Sequence, residues 1–167
     1  MPTLPVPALP AIAPFDARLR DGTPIVIRAV RSDDRPRVAA LFARMSPLSL
    51  RHRFLGVKRG LTDADLGFLL GDGADHVVLA AVTGDGAAEE IRGLGRYIVL
   101  DGQPELAEVA FEVGDADQGR GIGTLLLEHL ATIARTNGIT TFRAEVEADN
   151  GAMLDVFGKS GFSVREI

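Results

Sequence analysis

The 167-residue chain contains no cysteine and no tryptophan. Without cysteine there is no disulfide framework, no thiolate zinc site and no thiol nucleophile. One tyrosine, Tyr97, supplies the whole stock of phenolic hydroxyls, so the core must rest on aliphatic residues and eight phenylalanines. The three histidines, His52, His76 and His129, are far apart and form no H-x-x-x-H pair. No metal is therefore expected. Positive charge is also in short supply, with 18 Lys and Arg against 23 Asp and Glu and a net charge of −5. That balance argues against nucleic-acid binding, which needs clustered cations. No apolar run approaches the roughly 20 residues of a membrane span. The first fourteen residues carry five prolines and no basic start, unlike a secretory leader. The expectation is a cytoplasmic protein with a proline-rich tail over residues 1–17 and one folded domain over residues 18–167.

What is present reads as alternating elements. "DGTPIVIRAV" predicts a turn and a β-branched strand near residues 24–30. "RSDDRPRVAALFARM" predicts a helix N-capped by Ser32 or Asp33, with Pro36 in the first turn and Val38, Leu41, Phe42 and Met45 on its apolar face. "SPLSLRHRFL" reads as a second short helix. "LTDADLGFLL" reads as a third, with Thr62 and Asp65 spaced for a capping box. Strands over 76–83, 91–100 and 106–113, joined by "GDGAAEE" and "DGQPE", predict an antiparallel meander. A helix to about Asn137 carries a stripe of Leu126, Leu130, Ile133 and Ala134, and the following glycine suits its C′ position. A strand over 140–146 then returns parallel to its predecessor by a right-handed crossover. "NGAMLDVFGKS" is a last helix and "SVREI" the start of a last strand. The fold class is α/β with a mixed sheet, a meander followed by a parallel βαβ unit.

The junction of meander and crossover is "QGRGIG", residues 118–123. A glycine loop between a strand and a helix leaves the first-turn N–H groups pointing at whatever binds there. The helix dipole adds positive character, so phosphate or pyrophosphate is the natural ligand. Arg120 is placed to add a charged contact. A P-loop is excluded because no lysine follows Gly123. A dinucleotide fingerprint needs G-x-G-x-x-G, but the glycines here are 119, 121 and 123, with Thr124 next. Glu145 lies about where a ribose-binding acid would sit, yet a late loop after an antiparallel meander makes a poor doubly wound fold.

The loop resembles the acyl-CoA pyrophosphate loop [QR]-x-x-G-x-[GA] of the GNAT superfamily of N-acetyltransferases. "NGAMLDVFGKSGF" resembles the second signature of that superfamily, with Asn150, Lys159, Gly161 and Phe162 in place. The resemblance covers residues 20–167. "LRDGTPIVIRAVRSDD" with "MSPLSLRHRF" further resembles the catalytic domain of bacterial protein lysine acetyltransferases, where this domain often adjoins an acyl-CoA-synthetase-like or cyclic-nucleotide-binding domain. The resemblance implies acetyl-CoA as co-substrate. It places Gln118, Gly119, Arg120, Gly121, Ile122, Gly123 and Thr124 at the pyrophosphate.

Acetyl transfer to an amine also needs a base, because a lysine amine is almost wholly protonated at neutral pH. The strand "LAEVAFEV" offers Glu108 and Glu112, which share a face with Ala110 if the strand alternates regularly. A bulge would change that count. The resemblance favours Glu108, in "AEVA", as general base. If the sheet splays after this strand, backbone N–H groups near Phe111 and Val113 are free for the thioester carbonyl and the pantetheine amide. Asn150 is a natural N-cap and, by resemblance, touches the pantetheine arm. Phe157 stands where many family members have a tyrosine proposed to protonate the leaving thiolate. Phenylalanine cannot do so, and its expected role is packing against that arm. Arg51, His52 and Arg53 fit either a solvated basic face or recognition of substrate or of the 3′-phosphate. His129 and Lys159 are expected to be ordinary surface residues. The expected partner is a protein with an acceptor lysine, such as an acyl-CoA synthetase. A small amine as acceptor, or a non-catalytic acyl-CoA-binding module, is the alternative.

Overall fold

The computed structural model describes residues 12–45, 62–70, 75–145 and 151–158. Six strands form one sheet in sequence order: β1 (Phe15–Arg18), β2 (Pro24–Ala29), β3 (His76–Thr83), β4 (Glu90–Leu100), β5 (Gln103–Val113) and β6 (Thr141–Arg143). The helices are α1 (Arg35–Ala43), α2 (Asp63–Leu69), α3 (Ile122–Thr136) and α4 (Gly151–Gly158). Every neighbouring pair is antiparallel except β5 and β6, which run parallel across the α3 crossover. The expected mixed α/β class and the meander are therefore present.

The sheet is covered on both faces, which explains why "HVVLAAVT" is apolar rather than alternating. Val77, Leu79 and Ala81 of β3 join Ile25, Ile27, Tyr97, Val109 and the leucines of α3 in one core. Val78, Ala80 and Val82 point the other way, into a second core with Val38, Leu41 and Phe42 of α1 and Leu69 of α2. Helix α3 sits very close to β4 because β4 carries glycine beneath it. A Cβ on Gly95 would lie 3.1 Å from Leu126 Cβ, 3.1 Å from Phe111 and 3.2 Å from Leu130.

Several boundaries differ from the sequence expectation. The sheet begins at Phe15, so residues 15–17 belong to it rather than to a tail. β1 is too short and too exposed to be signalled by its own composition. Its Phe15 ring rests on His129 of α3, with ring centroids 4.6 Å apart, so His129 is not an isolated surface residue. Helix α1 begins after a 3₁₀ turn over Ser32–Asp34, and Asp34 is its N-cap by position without a side-chain cap bond. That carboxylate faces Arg28 instead, at 2.7 Å. β6 is only three residues long among the described residues. The capping box is present: Thr62 Oγ1 accepts from the Asp65 N–H, and the Thr62 N–H donates to Asp65 Oδ2. The segment "SPLSLRHRFL" with Arg51, His52 and Arg53, and the segments with Asn150, Lys159 and "SVREI", lie outside the described residues.

Candidate active site

Strand β5 carries the candidate chemistry along its length. Its register against β4 is unbroken from Val99 opposite Ala107 to Gly93 opposite Val113. No bulge disturbs the alternation, so Glu108, Ala110 and Glu112 share one face with Ile98, Arg96 and Leu94 of β4. Val109, Phe111 and Val113 share the α3 face. The two carboxylates differ sharply in setting: Glu112 is buried, whereas Glu108 is exposed.

The ladder between β5 and β6 runs from Leu106 opposite Thr141 to Glu108 opposite Arg143 and ends there among the described residues. Glu108 therefore stands at a fork in the sheet. The backbone beyond the fork can be oriented from two hydrogen bonds. The Thr140 N–H donates to the Glu105 carbonyl on the β6 side, and the Gly114 N–H donates to the Arg92 carbonyl on the β4 side. Backbone groups of successive residues alternate across a strand, so those of Phe111 and Val113 face the β6 side, beyond the last rung. The Val113 carbonyl accepts from Gln118 Nε2 at 3.4 Å.

At the end of β5 the chain makes a 3₁₀ turn over Asp115–Asp117 and enters the glycine loop. Gly119 and Gly121 have φ of 78° and 95°, values that side-chain-bearing residues rarely adopt. Gly121 is the N-cap of α3, with no side-chain cap and no acidic residue in the first turn. The N–H groups at Ile122, Gly123 and Thr124 thus begin a fifteen-residue helix whose dipole is uncompensated at this end. An anion suits that position. The third glycine serves packing: a Cβ on Gly123 would lie 3.0 Å from Val156 of α4. Ile122 is buried in the α3 core. The Phe157 ring of α4 meets the Phe111 ring edge-on, with centroids 6.1 Å apart. A bare glycine loop and a paired aromatic edge therefore flank the stretch of β5 that has no described strand beyond the last rung.

Arg120 is placed differently from expectation. Its Nη1 donates to Asp117 Oδ1 at 2.7 Å, and its Nη2 donates to Asp21 Oδ2 at 2.8 Å and Thr23 Oγ1 at 3.0 Å. Its guanidinium is taken up by two carboxylates, which hold its proton more firmly than usual. Hydrogen bonds from Thr23, then from Arg120, hold the Asp21 carboxyl at about 2. The side chain expected to contact phosphate is thus a strut joining the β1–β2 turn to the loop. The cation lying over the loop is Arg20, which sequence reasoning missed. Its backbone N–H donates to the Arg120 carbonyl at 3.3 Å and its Nη1 to the Gly119 carbonyl at 3.4 Å. Ninety-nine residues separate Arg20 from Gly119, and no local pattern links them.

Two other groups were also not foreseen. Arg143 Nη2 donates to Glu108 Oε2 at 3.2 Å across the fork. On the Glu108 face, the guanidinium of Arg96 lies 4.5 Å from the centroid of the Phe68 ring, which also meets His76. Burial pushes the His76 imidazole below its ordinary pKa. Tyr97 is fully buried, and its hydroxyl accepts from Asn137 at the far end of α3. At 1.5 Å per residue that is about 20 Å from the loop. Among the described residues no group of three His, Asp or Glu could hold a metal. No helix among them is long and apolar enough to cross a membrane.

A mixed sheet forked at its parallel pair, with a glycine loop opening a helix at the end of the forking strand, defines an acyltransferase domain. The chain belongs to the acetyltransferase (GNAT) family, whose profile matches residues 48–162. It is similar to acetyltransferase PA5475 of Pseudomonas aeruginosa, 33% identical over 148 residues, 86% of this chain and 77% of that one. Acetyltransferase Pat of Mycolicibacterium smegmatis is 34% identical over 151 residues, 90% of this chain, which spans 44% of the length of Pat. The crystal structure of the GNAT domain of S. lividans PAT matches with a TM-score of 0.83 at 34% identity, covering 92% of this chain and 89% of that one. The chain is an N-acetyltransferase, close to Pat and to that PAT domain.

Proposed function

We propose that this domain acetylates lysine side chains of proteins by direct transfer from acetyl-CoA, with Glu108 as general base. The carrying observation is the position of Glu108 at the last rung between β5 and β6, beside the edge of β5 left open among the described residues. The donor's pyrophosphate is assigned to the Gly119–Thr124 loop and helix end, with Gln118 at the entrance. Its pantetheine arm runs antiparallel along the open edge, where the Phe111 and Val113 N–H groups bond the thioester carbonyl and an amide. Phe157, against Phe111, packs on the arm. Asn150 is assigned to the same arm from the sequence signature alone.

In the reaction the acceptor amine attacks the thioester carbonyl. The new C–N bond forms, the C–S bond breaks, and the amine's proton passes to Glu108. Three residues of strand, about 10 Å, separate Glu108 from Phe111, so a water carries the proton between them. A backbone N–H aimed at the carbonyl oxygen stabilises the negative charge that develops there. The thiolate takes its proton from water, since position 157 offers no hydroxyl and Tyr97 is buried elsewhere. The likeness to Pat and PAT supports a protein acceptor, with acyl-CoA synthetases as the first candidates.

The test is to incubate the protein with acetyl-CoA and purified acyl-CoA synthetases, map acetyl-lysine by mass spectrometry, and run a panel of small amines in parallel. Site-specific acetylation dependent on Glu108 supports the reading. Turnover of small amines with no modified protein would replace it with a small-molecule acceptor.

A further inference from the structure

We propose that Arg20, on the turn between β1 and β2, is the side-chain cation that binds the donor's pyrophosphate, a role that rests on the acyl-CoA reading of the glycine loop. Arg20 reaches the loop from outside the signature. Its Nη1 donates to the Gly119 carbonyl at 3.4 Å, and its Nε lies 3.5 Å from where a Cβ on Gly121 would stand. The guanidinium therefore lies across the two peptide units that flank Arg120, at the mouth of the uncapped α3.

The competition for charge at this place favours Arg20. Arg120 makes short bonds to Asp117 and Asp21, and Asp117 is buried with Arg92 also 3.7 Å away. Moving Arg120 to a phosphate would strip a buried carboxylate of its nearest cation, which costs more than an exposed bond returns. Arg20 has no ion pair among the described residues, and its side chain is exposed. The one bond its guanidinium makes among the described residues, to Gly119, is long. Charge-assisted bonds to a phosphate are shorter and about twice as strong as neutral ones, so a pyrophosphate oxygen displaces that carbonyl readily. A Cβ on Gly119 would meet nothing within 4 Å, so space for the anion lies beside the guanidinium. The two arginines thus divide the work: Arg120 ties the β1–β2 turn to the loop, and the tied turn presents Arg20.

Calorimetric titration with CoA and with dephospho-CoA tests this in the wild type, Arg20→Gln, Arg20→Lys and Gly121→Glu. Arg20→Gln keeps a donor for Gly119 but removes the charge. It should weaken both ligands about tenfold, the value of one charge-assisted contact, with an unchanged melting temperature. Arg20→Lys should restore most of the affinity. In the wild type, CoA should protect Arg20 but not Arg18 from an arginine-selective dicarbonyl reagent, read by mass spectrometry. Wild-type affinity in Arg20→Gln, with binding lost in Gly121→Glu, overturns the role of Arg20 and leaves the loop reading standing. Weakening for CoA but not dephospho-CoA overturns the pyrophosphate assignment in favour of the 3′-phosphate. No CoA binding by the wild type overturns both.

Discussion

Glu108 and Arg143 face each other across the last rung of the parallel ladder, with Oε2 and Nη2 3.2 Å apart and both side chains about half exposed. An exposed pair of this kind contributes little to stability. Its effect is to hold the carboxylate at the fork. Glu108→Gln keeps an acceptor for Arg143 but cannot take a proton. The expected outcome is a fall in kcat of at least about 100-fold, with CoA affinity and melting temperature unchanged. Steady-state kinetics alongside calorimetry check it. Unchanged kcat excludes Glu108 as the base.

The strut between Asp21 and Arg120 has a defined acid limit. The Asp21 carboxyl is held at about 2 in the fold, against about 3.9 in an unfolded chain. A group lowered on folding stabilises the fold above its unfolded pKa and loses that contribution as pH falls through its folded pKa. The stability difference between wild type and Asp21→Asn should be constant above about pH 5 and shrink from about pH 4 towards 2. Urea titrations across that range decide it. A difference independent of pH down to 2.5 would show that the Asp21 charge, held by its Thr23 and Arg120 bonds, is not what Asp21 contributes.

Asp34 and Arg28 form a buried pair on the face of the sheet opposite α3. Asp34 is fully buried, accepts from both terminal nitrogens of Arg28, at 2.7 and 2.9 Å, and also accepts from the Arg31 N–H. Burial alone would raise the Asp34 carboxyl, but the Arg28 and Arg31 bonds and the Arg28 charge outweigh it and hold it below the ordinary range. Asp34→Ala leaves a buried guanidinium with Glu89 as its remaining carboxylate. A loss of about 3–5 kcal/mol is expected, measured by denaturant unfolding. CoA affinity measured well below the new midpoint should stay unchanged, because none of these groups touches the loop.

Tyr97 gives a test of what does not protonate the thiolate. Its hydroxyl is buried and accepts from Asn137 Nδ2 at 3.0 Å. Tyr97→Phe should cost about 1 kcal/mol, the worth of one such bond, and leave kcat within about twofold of the wild type. A large fall in kcat without loss of fold would make Tyr97 the acid after all.

The legible part of this site was the part written in contiguous residues. The glycine loop showed itself because positive φ at Gly119 and Gly121 demands glycine, and because a leucine-rich stripe follows at once. β3, β4 and β5 were legible from β-branched runs broken by Asp-Gly turns. β1 was not. Four residues following a proline-rich stretch carry no periodic signal, and they become a strand by pairing with β2. The N-cap of α1 was misread for a related reason. Ser32 and Asp33 have the right chemistry, but the 3₁₀ turn moves the helix start to Arg35, and the buried Arg28 claims the carboxylate of Asp34.

The sequence by itself determined the meander with the crossover that follows it, the phosphate-type loop and the pair of carboxylates on β5. Those depend on side-chain alternation, on turn chemistry and on the backbone freedom of glycine, all of which act within a few residues. Only the tertiary structure decided which of two arginines is free. Arg120 lies inside the motif and Arg20 a hundred positions before it, but Asp21 and Asp117 are brought together around Arg120 when the β1–β2 turn docks on the loop. Electrostatic partners are chosen by distance in space, and a linear sequence carries no distances between residues that far apart.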